Sequence, residues 1–137
     1  MLIYLAGCMS YYYDSNNPEK AEIWRNIAEE KLQYNYDVFT FNPTLNYETN
    51  CKYNSVLMVQ QNEYYLKKAD LILVNLDDLD KSYGTIYELV YAHALCKPIL
   101  AFGSAAIYSH PHLKHILKNC FKSLEEALEF IDTVYCQ

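Results

Sequence analysis

The stretch Leu71-Ile72-Leu73-Val74-Asn75-Leu76 is apolar at every position but one. A run this short and this uniformly apolar is expected of a central strand covered on both faces, because a half-exposed strand would alternate apolar and polar residues. Upstream of it, residues 56–68 mix polar and apolar side chains as an amphipathic helix does. Downstream, an acidic loop at residues 77–83 leads into a helix over residues 85–96, which Lys97-Pro98 ends, and a second apolar strand at residues 99–102, closed by Gly103. The same order is written at the amino end: a strand at residues 2–6 closed by Gly7, a helix opening at Asn17-Pro18 and carrying Ala21, Trp24, Ala28 and Leu32, then a strand at residues 38–41 that stops at Asn42-Pro43. Ser123-Leu124-Glu125-Glu126 matches a helix capping box for a last helix, and residues 120–122 before it suggest an edge strand. Alternating strands and helices with short connections predict one α/β domain over residues 1–137, a parallel sheet of about five strands with helices on both faces, Rossmann/flavodoxin-like. Such sheets bind ligands beyond the carboxyl ends of their strands. The loops at residues 7–13, 42–47, 77–83 and 103–112 are expected to gather there.

Composition narrows the partners. The 137 residues carry a formal net charge of -6, with lysines scattered and no basic stripe, so a nucleic-acid polymer would be repelled. No apolar run approaches the ~20 residues that span a bilayer, and the opening Met1-Leu2-Ile3-Tyr4 lacks the basic flank of a leader, which predicts a cytoplasmic protein with no membrane contact. Five cysteines, Cys8, Cys51, Cys96, Cys120 and Cys136, form no Cys-x-x-Cys pair and are read as reduced packing residues. Fifteen tyrosines against three glycines admit two explanations, a coding bias or a role in stacking and subunit contact.

Within the chain, Ser82-Tyr83-Gly84-Thr85-Ile86-Tyr87-Glu88-Leu89 carries the most chemistry. Glu88 is the sole formal charge on a helix that is apolar nearly all round, so its carboxylate is expected to be partly buried. Spacing alone also fits a capping box in which Thr85 caps the helix and Glu88 reaches back to its amide. The other reading is a nucleophile that stays anionic yet poorly solvated, with burial raising its pKa and the helix N-terminus lowering it. Ser82, Gly84 and Thr85 offer donors at that N-terminus for a phosphate or a sugar hydroxyl, or simply form a turn. Asp77, Asp78 and Asp80 crowd one loop that either holds a divalent cation or is solvated. His110-Pro111-His112 with His115 lacks companions at zinc-ligand spacing, and is read as a mobile or subunit-contact loop that brings an imidazole near the ligand. Cys8 is read as a buried thiol, and Tyr4 as a core residue near enough to the strand end to meet a ligand.

With these residues in place, the chain resembles the nucleoside 2-deoxyribosyltransferase family and its relatives that hydrolyse deoxynucleoside 5'-monophosphates. The resemblance runs through Ile3-Tyr4-Leu5-Ala6-Gly7 with Met9-Ser10, Trp24-Arg25, Asn42-Pro43, Ala69-Asp70-Leu71-Ile72-Leu73-Val74-Asn75 and the Ser82 to Leu89 block with its following helix. It implies that Glu88 attacks the anomeric carbon, releases the base and holds the sugar as an ester, which a second base or water then resolves. It implies small-molecule nucleosides, nucleotides or free bases as partners, no cofactor or metal, and a homodimer or higher homo-oligomer. Carried over onto this sequence, the catalytic positions are Glu88 and Asn62, and the substrate-binding positions Tyr4, Gly7, Ser82, Gly84, Thr85, Asp78 and His112.

Two positions depart from the family pattern. Where the family usually has an aspartate that acts as acid toward the base, this chain has Asn62, whose amide donates a hydrogen bond but delivers no proton. Glu63 is next to it but on a helix points about 100° away. Three outcomes follow: Glu63 or another acid serves, the bases used leave without full protonation, or the fold binds nucleotides without turnover. Ser82 stands where transferases often carry aspartate and the monophosphate hydrolases carry serine. The glycine-and-arginine-rich phosphate loop of the hydrolases is, however, replaced by Cys8-Met9-Ser10-Tyr11, with Arg25, expected on the first helix, the nearest candidate cation.

Overall fold

A computed structural model describes residues 1–35, 37–47, 55–104 and 110–137. Among them five strands form one sheet: β1 (Leu2–Ala6), β2 (Phe39–Phe41), β3 (Leu71–Asn75), β4 (Ile99–Phe102) and β5 (Asn119–Phe121). Every pairing is parallel and the order is β2-β1-β3-β4-β5. The helices are α1 (Ser10–Asp14), α2 (Glu19–Leu32), α3 (Ser55–Lys68), α4 (Tyr83–Ala94), α5 (Pro111–Ile116) and α6 (Leu124–Tyr135), with 3-10 turns at Pro43–Asn46 and Leu79–Lys81. This is the flavodoxin-like doubly wound sheet that the alternation of elements predicts.

Strand alternation divides the core in two. Ile3 and Leu5 of β1 with Leu71 and Leu73 of β3 face Trp24, Ala28 and Leu32 of α2 and Leu124, Leu128 and Ile131 of α6. Tyr4 and Ala6 with Ile72 and Val74 face the other way, onto Leu66 of α3, Leu89 and Ala92 of α4, and Leu117 just past α5. All five residues of β3 are buried, as its uniform apolarity requires. Because β1 lies between β2 and β3, and the chain leaves β1 toward one face and β2 toward the other, the strand order reverses beside β1. The carboxyl ends of β1 and β3 therefore part into a crevice.

Local details differ from the sequence expectation where segments are short. Helix α2 begins at Glu19 with Pro18 as its cap and no side-chain cap from Asn17. Five residues after β1 coil into α1, and Pro111 opens the six-residue α5 in a segment read as a loop. Neither is long enough to show a helical period. The edge strand lies at Asn119–Phe121, one residue early, and Ser123 caps α6 as expected, accepting from the Glu126 amide at 3.2 Å. Cys51 and the middle of the loop at residues 103–112 lie outside the described residues. No helix among the described residues is long and apolar enough to cross a membrane.

Candidate active site

The crevice holds a cavity of about 260 Å³. Its walls come from four segments: Gly7, Met9, Ser10 and Tyr11 after β1; Pro43 and Tyr47 after β2; Met58, Val59, Asn62, Glu63 and Leu66 of α3; and Lys81 to Thr85 with Tyr87 and Glu88 after β3. Of the positions singled out in sequence, Gly7, Asn62, Ser82, Gly84, Thr85 and Glu88 are brought together here.

Glu88 sits one turn into α4, partly buried, and its carboxylate turns toward the sheet rather than toward the helix end. The Tyr4 hydroxyl donates to Oε1 at 2.9 Å and the Asn62 amide reaches the same oxygen at 3.5 Å. Tyr4 is the inward residue of β1 on this face, so strand alternation is what aims its hydroxyl at Glu88. Burial pushes the Glu88 carboxyl up to about 7, against the Tyr4 hydrogen bond and the positive charge of Arg25. The Tyr4 hydroxyl is pushed well up in turn, by burial first and the Glu88 charge second. The carboxylate is thus poised between its two protonation states near neutral pH.

The expected capping box does not form. Ser82 caps α4, its hydroxyl accepting from the Thr85 amide at 3.4 Å and lying 2.7 Å from the Thr85 hydroxyl, so the helix starts at Tyr83, two residues early, and Glu88 is left free for the cleft. Past the first turn the helix macrodipole has also faded, so burial dominates the carboxylate. Gly84 has open space where a side chain would stand, with nothing within 4 Å of an added Cβ. At Gly7 the reason for glycine is close approach: a Cβ would meet the Trp24 ring at 3.0 Å and the Arg25 guanidinium at 3.3 Å.

Asp78 and His112 lie outside the cleft lining. The Asp78 carboxylate accepts from the Tyr12 hydroxyl at 2.6 Å and pairs with Lys81 at 3.3 Å, in a neighbouring depression with Lys20, Asp77 and Ser104. His112 is exposed on α5, its ring 5.2 Å from that of His110. Cys8 is buried, and burial raises its thiol. Among the described residues no three His, Cys, Asp or Glu side chains converge to hold a metal ion.

Two further cleft residues carry evident chemistry: Lys81, which sequence reasoning passed over, and Glu63, which it weighed as a substitute acid. Lys81 sits against the Tyr11 hydroxyl at 3.4 Å and brings a cation to the mouth beside Ser82; its only signal is adjacency to that serine. Glu63 reaches the cleft despite its 100° offset from Asn62 and accepts a hydrogen bond from the Tyr87 hydroxyl. Arg25, by contrast, is fully buried behind Gly7 and does not line the cavity.

Residues 3–120 match the family described as nucleoside 2-deoxyribosyltransferase. A comparison with curated protein sequences gave no match. Similar solved structures include a 2-desoxiribosyltransferase from Leishmania mexicana (TM-score 0.69, 21% identity, 98% of both chains). A 2-deoxyribosyltransferase from Bacillus psychrosaccharolyticus gives a TM-score of 0.70 at 19% identity over 93% of this chain and 90% of that one. A CMP N-glycosidase from Clostridium botulinum gives 0.58 at 16% identity over 97% and 98%. At these identities the structures speak to the fold, while the match over most of the sequence decides the lineage: the chain belongs to the nucleoside 2-deoxyribosyltransferase family, whose members are enzymes acting on the N-glycosidic bond.

Proposed function

We propose that this chain cleaves the N-glycosidic bond of a 2'-deoxynucleoside and passes the sugar to a second base, with Glu88 as nucleophile. The observation that carries this reading is a carboxylate desolvated inside the cleft, with one oxygen held by Tyr4 at 2.9 Å. Both hydrogen bonds fall on Oε1, so Oε2 is the attacking oxygen. It bonds to the anomeric carbon as the carbon–nitrogen bond breaks and its electron pair leaves with the base. A nitrogen of the incoming base then attacks the same carbon, the electron pair returns to Glu88, and the two displacements retain configuration. Gly7, Ser82, Gly84 and Thr85 surround the 5' end of the sugar, and Met58 and Val59 offer an apolar wall to the base. Asn62 orients the carboxylate, and Glu63 is the cleft acid that protonates the departing base and takes a proton back from the attacking nitrogen of the incoming one. No metal or cofactor enters these steps.

A second reading has water as acceptor and a 5'-monophosphate as substrate. Lys81 at the cleft mouth favours it, since with the Ser82 hydroxyl it gives a phosphate a cation and a donor. The exposed Tyr83, Tyr87 and Val90 along the outer side of α4, at 88%, 46% and 51% exposure, favour a second copy of the chain against the cleft rim, with His112 acting across that interface.

Incubating the protein with a deoxynucleoside, with and without a second free base, and separating the products separates these readings. New nucleoside is expected. Free base and sugar 5-phosphate, appearing only when a 5'-monophosphate replaces the deoxynucleoside, would establish the second reading, and a ligand-induced rise in Tm without turnover would leave a binding protein.

A further inference from the structure

Arg25 is the sole arginine in the chain, and it is fully buried. Its three nitrogens donate to backbone carbonyls: Nε to Leu5 at 3.2 Å, Nη1 to Ala21 at 2.6 Å and Nη2 to Gly7 at 2.9 Å. Its ring neighbour is Trp24, with the guanidinium 4.6 Å from the indole centroid. Among the described residues it forms no ion pair. A buried cation satisfied only by neutral carbonyls keeps its desolvation cost without a carboxylate in contact to offset it.

The carboxylate that bears most on Arg25 is Glu88. Two of the carbonyls that Arg25 grips, those of Leu5 and Gly7, flank the end of β1, where Gly7 opens onto the cleft and Tyr4, three residues earlier, holds Glu88. Gly7 lacks a side chain at the point where the guanidinium comes closest. We propose that Arg25 is a positioning residue of the site: from behind the end of β1 its guanidinium fixes the strand terminus and favours the anionic form of the Glu88 carboxylate for attack. The last clause rests on Glu88 being the nucleophile; the charge coupling does not.

Among the described residues, the titratable groups around Glu88 include Tyr4 from β1, Arg25 from α2, Glu63 from α3, Lys81 from the turn, Tyr87 on its own helix, and Tyr11 and Tyr47 across the cleft. Tyr4 and Arg25 are the ones that favour its anion, and Glu88 in turn favours the charged guanidinium. Burial lowers Arg25 only to about 10, so it stays a cation throughout the range in which Glu88 titrates. Tyr13 and Cys8, which also bear on Arg25, are both pushed upward by burial and remain neutral there.

Nuclear magnetic resonance titration tests this without turnover. In native protein the arginine Nε signal needs no assignment, and the Glu88 carboxyl carbon is identified by its loss in Glu88→Gln. Between pH 5 and pH 8.5 both signals are expected to move with a common midpoint, and the arginine signal to go flat in Glu88→Gln. Arg25→Gln should raise the Glu88 midpoint by about one pH unit, moving the acid limb of kcat/KM with it, and Arg25→Lys should restore most of that shift. A flat arginine signal in native protein, or an unmoved Glu88 midpoint in Arg25→Gln, overturns the proposal. If Arg25→Gln does not fold, the native titration decides alone. Failure of the nucleophile assignment shows separately, as transfer activity surviving in Glu88→Gln.

Discussion

Glu88 and Asp78 leave the same end of the sheet, Asp78 from the loop after β3 and Glu88 from the helix that this loop feeds. Asp78 receives the Tyr12 hydroxyl at 2.6 Å and the Lys81 ammonium at 3.3 Å, near solvent, and the Tyr12 hydrogen bond first of all holds its carboxyl below the usual range. Glu88 has one firm donor at 2.9 Å, in a partly buried position, and burial drives it up to about 7. Asp77, Asp78 and Asp80 make the more conspicuous acidic cluster in sequence, yet two of the three are engaged in local bonds: Asp77 accepts from the Ser104 amide and Asp78 from Tyr12 and Lys81. Reactivity follows desolvation and spare coordination, which the single glutamate has and the cluster lacks.

The largest effect that could break this contrast is on activity. Glu88→Gln is expected to reduce glycosyl transfer by about 10³-fold or more, whereas Asp78→Asn should stay within about threefold of native, both measured by product chromatography at saturating nucleoside. Equal losses would mean that the two carboxylates are not functionally distinct. Next in size is Glu63→Gln. As the acid toward the leaving base, Glu63 should be worth about 10²-fold. Its loss should be greatest with bases that leave poorly and smallest with those that need little protonation. A uniform loss across leaving groups would reassign Glu63 to holding Tyr87.

The layout of this edge was legible in sequence because β3, β1 and α2 are long or uniformly apolar, and because Gly7 and Ser82-x-Gly84-Thr85 mark where strands end and a helix begins. What escaped was decided by three-dimensional proximity. Thr85 fits the capping pattern as well as Ser82 does, and only the helix start at Tyr83 assigns the cap to Ser82. Arg25 looked like a candidate phosphate cation, yet its donors are consumed by the carbonyls of Leu5, Ala21 and Gly7, contacts that no spacing rule encodes. Lys81 looked like one scattered lysine until the turn at Leu79–Lys81 set it at the cleft mouth. Asp78 shares the loop after β3 with the site but faces elsewhere, since position in a loop does not fix the direction of a side chain, and His112 lies on α5, outside the cleft lining.

Stability against pH sharpens the comparison further, because the two groups are linked to folding with opposite sign. Glu88 has a folded value near 7 against an ordinary one near 4.5. Below about 4.5 both states carry the proton and nothing is lost. Between there and about 7 the folded protein holds a proton that the unfolded chain releases, so stability falls as pH rises. Glu88→Gln should therefore be more stable than native at pH 8, on the order of 2 kcal/mol, and nearly equal to it at pH 4. Asp78 runs the other way and weakly. Its carboxyl lies below its ordinary 3.8, so its contribution is present above that pH and lost as pH falls through the lowered value. Because this group is close to solvent, its contribution is about 0.5 kcal/mol. Urea melts of Asp78→Asn should fall slightly short of native at pH 6 and converge on it toward pH 2.5. Parallel pH dependences for the two variants would show that burial does not separate these carboxylates, and the reading of Glu88 as the poised group would go with it.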